Sequence, residues 1–110
     1  MSTLTQSKCE PCEGGIPPMT REQFEPLLQE LPGWKVTESE KTLARDFSFK
    51  NFVQTIEFVN KVAELAEQEG HHPDLNIHGY NKLAIRLSTH AIKGLSRNDF
   101  ILAAKIDQLA

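Results

Sequence analysis

The histidines are the residues of this sequence whose type and spacing most clearly suggest chemistry. Three of the four, His71, His72 and His90, occur where the chain is predicted to leave a helix and to end a strand. An imidazole has an ordinary pKa of about 6.5, so it can accept or donate a proton near neutrality. If the fold brings these side chains together, they can supply both an acid and a base. The pattern therefore predicts general acid/base catalysis by His71, His72 and His90.

A zinc site is the other chemical use of three histidines. Adjacent side chains point in different directions along an extended chain, which makes His71 and His72 poor joint ligands of one small ion. The sequence has no H-E-x-x-H or comparable ligand spacing on a predicted helix. Acid/base catalysis without a metal is therefore favoured. Histidines are also common in exposed turns, so spacing alone leaves open a surface position without chemistry.

The two cysteines, Cys9 and Cys12, form a C-x-x-C pair near the N-terminus. A structural zinc normally has four ligands, so this pair would need further ligands from elsewhere. A redox C-x-x-C motif normally opens a helix, whereas glycines and prolines soon follow this one. We therefore expect residues 1–19 to form a flexible arm without metal or redox function, followed by one domain over residues 20–110.

The composition is that of one small folded domain. The chain has 110 residues, of which 39% are hydrophobic and 25% are charged, so a compact core is expected. A formal net charge of -3 offers no basic surface for nucleic acid. No apolar stretch approaches the roughly 20 residues that span a bilayer, and the polar N-terminus lacks the apolar segment of a secretory signal. We expect a cytoplasmic protein with neither a nucleic-acid nor a membrane partner.

A first helix and a first hairpin are predicted at the start of the domain. Thr20 and Gln23 have the spacing of a capping box, and apolar residues follow at helical spacing towards an end near Pro32. Residues 34–36 and 43–49 alternate between apolar and polar side chains. This alternation predicts two antiparallel strands.

The longest predicted helix begins at the cap Asn51 and ends at Gly70, where a left-handed residue is expected. It is expected to contribute most to the core, through an apolar stripe. The stripe consists of Phe52, Ile56, Val59, Ala63 and Ala66, widened by Val53, Phe58, Val62 and Leu65. The triplet His71-His72-Pro73 would then lie in the sharp turn by which the chain leaves the helix.

A second hairpin and a last helix complete the predicted fold. Residues 75–78 and 83–90 are the predicted strands, and the second is expected to carry a polar face that ends in His90. Ser96 and Asp99 have capping spacing for the last helix. The order α-β-β-α-β-β-α predicts an α+β fold, in which a four-stranded, mostly antiparallel sheet has its helices on one face.

Short segments around the histidines form an ordered pattern. They are Gly70-His71-His72-Pro73-Asp74, Tyr80-Asn81-Lys82, Leu87-Ser88-Thr89-His90, Gly94-Leu95-Ser96 and Asp99, with Gly33-Trp34 and residues 47–52 upstream. This pattern resembles the pterin-4a-carbinolamine dehydratases over residues 20–109. The resemblance implies dehydration of a 4a-hydroxytetrahydropterin, the product of aromatic amino-acid hydroxylases, to a quinonoid dihydropterin. That activity needs no external cofactor and would support tetrahydrobiopterin recycling.

The resemblance also implies which residues form the site. The three histidines take the catalytic roles, and they are expected to contact the pterin together with Gly70, Pro73, Ser88, Thr89 and Ala91. Glu67 lies one helical turn before His71, so it either orients an imidazole or belongs only to a solvated helix face. Asp99 is given a minor role, because an acidic residue is favoured at a helix start in any case.

Some features of the chain differ from the family pattern. Gly70 stands where many relatives have an acidic residue, Leu75 stands where some have an aromatic one, and His78 is assigned no catalytic role. Family members also include a transcription-factor dimerisation cofactor and rubisco assembly factors, which are binding roles. The retained trio of histidines favours the enzyme, because a scaffold has no physical need for imidazoles at those places. The expected partners are a small pterin and further copies of the chain, in a homodimer or homotetramer.

Overall fold

The secondary structure follows the predicted order. The computed structural model describes residues 4–9, 17–37 and 39–110. Its helices and strands are α1 (Arg21–Gln29), β1 (Lys35–Thr37), β2 (Thr42–Ser48), α2 (Phe52–Glu69), β3 (Asp74–His78), β4 (Lys82–Leu87) and α3 (Arg97–Leu109). Short 3-10 turns occur at Leu4–Gln6 and His90–Ile92. The predicted α+β class is confirmed.

The four strands form one sheet in the order β1-β2-β4-β3, and all three pairings are antiparallel. In the central pair, Leu43 lies opposite Leu87 and Phe47 lies opposite Leu83, and all four side chains are buried. Arg86, which has the opposite parity on β4, is exposed. One face of the sheet therefore packs on the helices and the other stays open, as predicted.

The helix boundaries are set by local hydrogen bonds. The Thr20 hydroxyl accepts a hydrogen bond from the Gln23 amide, while the Gln23 side chain accepts one from the Thr20 amide. The Asn51 side chain accepts a hydrogen bond of 2.8 Å from the Gln54 amide. Gly70 ends α2 with a φ of +67°, a conformation that glycine adopts without steric cost. These predicted caps are confirmed, although α1 ends at Gln29 rather than near Pro32.

The main contributor to the core is α3, so the prediction that α2 would fill this role is wrong. Helix α3 packs against α1, α2 and the N-terminal 3-10 turn, which leaves little of its surface in solvent. The predicted stripe on α2 is also wrong in part, since Phe52 is 51% exposed and Ala63 is exposed. The buried residues of α2 are Thr55, Phe58, Val62 and Ala66, against Asn98, Asp99, Phe100, Ile101, Leu102, Ala103, Ala104 and Ile106 of α3.

Strand β4 ends at Leu87, three residues before the position expected from the alternation. Both neighbouring ladders stop here: the pairing with β3 ends at Arg86, opposite Asp74, and the pairing with β2 ends at Leu87, opposite Leu43. Beyond this point Thr89 forms an isolated bridge with Gly94. His90 therefore belongs to a loop with a 3-10 turn and not to the polar face of a strand.

Residues 4–9 contact the domain. Leu4 is fully buried in the core, and the Cys9 amide donates a hydrogen bond of 2.9 Å to the Glu69 carboxylate. These contacts differ from the expected flexible arm, because the short 3-10 turn Leu4–Gln6 packs against α3 and places one leucine in the core. Cys12 lies outside the described residues, so the prediction for the C-x-x-C pair and the division of the chain at residue 19 stay predictions.

Each of the described α-helices carries charged side chains. Helix α2 is the longest of the described helices, at 18 residues, and charged side chains such as Glu57, Lys61 and Glu64 interrupt its apolar sequence. Among residues 4–9, 17–37 and 39–110, no helix has the length and apolar character that crossing a membrane requires.

The packing predicts that two side-chain truncations lower the free energy of unfolding by very different amounts. Leu102 of α3 is fully buried, so Leu102→Ala should lower the free energy of unfolding by about 2–5 kcal/mol. Val53 of α2 is 65% exposed, so Val53→Ala should change it by less than about 0.5 kcal/mol. Urea denaturation followed by circular dichroism measures both values. Equal losses in the two variants would contradict the assignment of α3 as the central helix.

Candidate functional site

The exit turn of α2 places two histidines in different surroundings. The amides of Gly70 and His71 both donate hydrogen bonds to the Ala66 carbonyl, which closes the helix tightly. The left-handed Gly70 then turns the chain so that His71 points inwards, with a side chain 12% exposed, while His72 points outwards. The divergence expected of adjacent side chains is therefore present, and the two imidazoles contact different carboxylates.

His71 is held by a buried aspartate. Its Nε2 atom lies 2.6 Å from Oδ1 of Asp99, whose side chain is 0% exposed. The second oxygen, Oδ2, accepts hydrogen bonds from the Thr89 hydroxyl at 2.8 Å and from the Ser96 amide at 2.9 Å. The Ser96 hydroxyl lies 2.7 Å from Thr89 Oγ1 and extends the network. Asp99 is therefore central to the site, where the sequence predicted only a minor role.

This network fixes the ring of His71. A buried carboxylate is stable only when donors satisfy both of its oxygens, and here the donors come from three separate segments of the chain. When the neutral imidazole carries its proton on Nε2 and donates it to Asp99, the lone pair is on Nδ1. His71 can then accept a proton from a bound molecule through Nδ1 without losing its anchor.

His72 has a more exposed carboxylate partner. Its Nε2 atom lies 2.5 Å from Oε2 of Glu67, and both side chains are largely in solvent. The prediction that Glu67 could orient an imidazole is consistent with this contact, but the partner is His72 and not His71. The Gly70 turn brings His72 back over the last turn of α2, which explains why Glu67 contacts His72 rather than His71. Such an exposed pair contributes little to stability, so its effect is on the orientation of the ring.

His90 lies at a separate small pocket of about 240 Å³. The pocket is at the end of the sheet, where β2 begins and β4 has ended. Its lining residues are Lys41, Thr42, Ser88, Thr89, His90, Lys93 and Gly94. Ala91 is exposed in the same 3-10 turn as His90 and is not among these residues. The two lysines were not predicted, because neither stands in a motif that would draw attention to it.

The two halves of the candidate site are joined through Asp99. The carboxylate contacts His71 of the exit turn with one oxygen and Thr89 of the pocket with the other. Thr89 precedes His90 directly in the sequence. The fold therefore connects the elements that carry His71 and His90, while His72 and Glu67 stand at the outer side of the turn. The catalytic and binding roles of all these residues stay predictions.

The network gives Thr89 a measurable structural value. Thr89→Val keeps the shape of the side chain but removes one of the three hydrogen-bond partners of the buried Asp99, so it should lower the free energy of unfolding by about 1–3 kcal/mol. Thr89→Ser should restore most of this loss. Thr55→Val is the matched control: Thr55 is also fully buried, but its hydroxyl only shares the Asn51 carbonyl with its own amide. A larger loss for Thr55→Val in urea denaturation would contradict the network.

Comparisons with known proteins agree on one family. Residues 17–109 match the family described as pterin 4 alpha carbinolamine dehydratase. A relative provisionally named pterin-4-alpha-carbinolamine dehydratase from Methylococcus capsulatus is 48% identical, over 98% of this chain and 94% of the relative. A relative of the same name from Nitrosomonas eutropha is 51% identical, over 96% of this chain and 92% of the relative.

Solved structures give the same result for the fold. A transcriptional coactivator/pterin dehydratase from Brucella melitensis is similar with a TM-score of 0.78 and 29% identity, over 84% of this chain and 98% of that chain. A pterin dehydratase-like protein described as a RuBisCO assembly factor in the alpha-carboxysome is similar with a TM-score of 0.61 and 28% identity. This match covers 71% of this chain and 89% of that chain. With residues 17–109 matched and near-complete relatives at about half identity, this chain belongs to the pterin 4 alpha carbinolamine dehydratase family.

Proposed function

We propose that this protein dehydrates a pterin 4a-carbinolamine to the quinonoid dihydropterin and water. The observation that carries the proposal is the hydrogen bond between His71 and the buried Asp99, in a chain of the dehydratase family. Capping α3 needs only the hydrogen bond from the Ser96 amide, so the further contact of this buried carboxylate with an imidazole supports acid/base chemistry.

The reaction is an elimination that moves two protons. The bond between C4a and the hydroxyl oxygen breaks, and the hydroxyl group leaves as water after it receives a proton. The proton on N5 is removed, and its electron pair forms the double bond between N5 and C4a. Acid/base groups that are already positioned speed such a step by about 10²-fold to 10⁴-fold.

The histidines divide these tasks according to their surroundings. His71 is the proposed base, because its bond to Asp99 through Nε2 presents the Nδ1 lone pair to the pterin N5 proton. His72, which contacts Glu67, and His90, at the rim of the pocket, are the two groups proposed to deliver a proton to the leaving hydroxyl. Glu67 then orients the His72 ring through the contact with its Nε2 atom.

The pterin is proposed to bind between the exit turn and the loop after β4. A pterin ring is flat and rich in hydrogen-bonding groups, so a small pocket with a few polar contacts is sufficient to orient it. The residues proposed to contact it, besides the three histidines, are Gly70, Pro73, Ser88, Thr89 and Ala91. No external cofactor takes part in this proposal. The proposed physiological role is tetrahydrobiopterin recycling after aromatic hydroxylation, in the cytoplasm.

Further copies of the chain are the proposed protein partners. The outer strands β1 and β3 each have one unpaired edge in the described sheet, and such edges readily pair with another strand. Phe52, Val53 and Tyr80 are large apolar side chains that are more than half exposed. These features support the homodimer or homotetramer expected from the sequence.

Single-histidine variants test the catalytic proposal. His71→Ala, His72→Ala and His90→Ala are each expected to lower the rate of quinonoid dihydropterin formation from 4a-hydroxytetrahydropterin, by at least tenfold for His71 and His90. His78→Ala is the matched control, because His78 is exposed at the end of β3 and should change the rate less than about twofold. Absorbance at the quinonoid product's maximum gives the rate, with and without a metal chelator.

The outcomes of this assay separate the alternatives. Activity that resists the chelator and depends on His71 and His90 supports the metal-free dehydratase. Activity lost with the chelator would point to a metal instead. A folded wild-type protein that never exceeds the uncatalysed rate would contradict the dehydratase and favour a binding role such as those named for the structural neighbours.

A further inference from the structure

The segment Leu4–Cys9 contacts both helix ends that carry the His71–Asp99 pair. The Cys9 amide donates a hydrogen bond of 2.9 Å to Oε1 of Glu69, two residues before His71. The Cys9 thiol lies 3.6 Å from the carbonyl oxygen of Asn98, one residue before Asp99. A single residue therefore spans from the end of α2 to the start of α3.

Glu69 is the junction of this arrangement. Its Oε1 atom accepts the hydrogen bond from the Cys9 amide, and its Oε2 atom accepts one of 2.8 Å from Lys105 of α3. The Glu69 side chain is only 6% exposed. Burial opposes ionisation of this carboxyl group, but the hydrogen bonds from Lys105 and Cys9 outweigh it and lower the pKa of Glu69. The ionised carboxylate thus joins the N-terminal segment to both helices.

The other end of the segment is fixed by apolar packing. Leu4 is fully buried in the core, and the 3-10 turn Leu4–Gln6 packs against α3. Residues 4–9 precede the region 17–109 that matches the family, so a role for them is not part of the family assignment.

We propose that the docked segment Leu4–Cys9, with Glu69 and Lys105, positions His71 against Asp99. Gly70 is the one residue between Glu69 and His71, and the amides of Gly70 and His71 both donate hydrogen bonds to the Ala66 carbonyl of α2, so the end of α2 that Glu69 holds also sets where His71 lies. The position of His71 then depends on Glu69, which is held by Cys9 and Lys105. A shift of about 1 Å in a catalytic group can slow a reaction by about 10²-fold. This inference rests on the proposed function.

Docking of the segment can be measured through its thiol. Burial, followed by the charge of Glu69, raises the pKa of Cys9 to about 12. In a Cys12→Ser background Cys9 is the one remaining cysteine of the sequence, and iodoacetamide at pH 8 should modify it at least about 10²-fold more slowly than in urea. Leu4→Ala should accelerate this reaction in the folded protein. Equal rates in folded and unfolded protein would show that the segment does not dock.

The positioning role is tested in the full-length chain with Leu4→Ala, Glu69→Gln and Lys105→Met. Each is expected to lower kcat by about fivefold or more with little change in KM, because His71 is displaced while the pterin pocket stays intact. Each should also shift the side-chain ¹⁵N resonance of His71 in a histidine-labelled sample. Lys105→Arg, which keeps the positive charge, should retain the wild-type kcat and the wild-type His71 resonance.

Leu31→Ala is the matched control for lost stability. Leu31 is also buried, but its backbone bonds join only Leu28 and Trp34, at the end of α1. The Leu31→Ala variant should lower the midpoint of urea denaturation as much as Leu4→Ala does, without altering kcat or the His71 resonance. Equal effects in Leu31→Ala, or no effect in Leu4→Ala and Glu69→Gln, would overturn the proposal. The resonance decides the matter even if the wild type proves inactive, in which case the proposed dehydratase function fails separately.

Discussion

The structure of the site depends on the buried carboxylate of Asp99. A negative charge that is removed from water must be compensated by hydrogen bonds, and His71, Thr89 and Ser96 supply them from the exit of α2, the loop after β4 and the start of α3. These segments cannot move apart without leaving the charge unsatisfied. One residue that begins a helix thus also fixes the relative position of the segments with the candidate catalytic histidines.

The sequence predicted features whose signals are local. The capping residues, the left-handed Gly70 and the alternation within β4 act over a few neighbouring residues, and the structure has the caps, the turn and the four-stranded sheet. The spacing of Ser96 and Asp99 correctly placed the start of α3. It could not show that Asp99 contacts His71, because that contact joins residues 28 positions apart and depends on how α2 packs against α3.

The errors arose where packing between elements decides the outcome. The apolar residues of α2 form more than one possible stripe, and packing against both α3 and the aromatic rings of Phe47 and Phe49 selects the face through Phe58. The strand before His90 ends early because its ladders with β2 and β3 stop at Leu87 and Arg86, and Thr89 pairs with Gly94 instead. The docking of Cys9 on Glu69 was equally hidden, since the residues lie 60 positions apart.

The most direct test of this account is an NMR titration of the ¹⁵N-labelled protein with a 7,8-dihydropterin, which resembles the product but cannot be dehydrated. The account predicts that the largest shifts fall on residues 71–73 and 88–94, the two segments that Asp99 joins, with a change in the side-chain resonance of His71. Shifts concentrated on the open face of the sheet, around Lys35, Ala44 and Arg86, would contradict it.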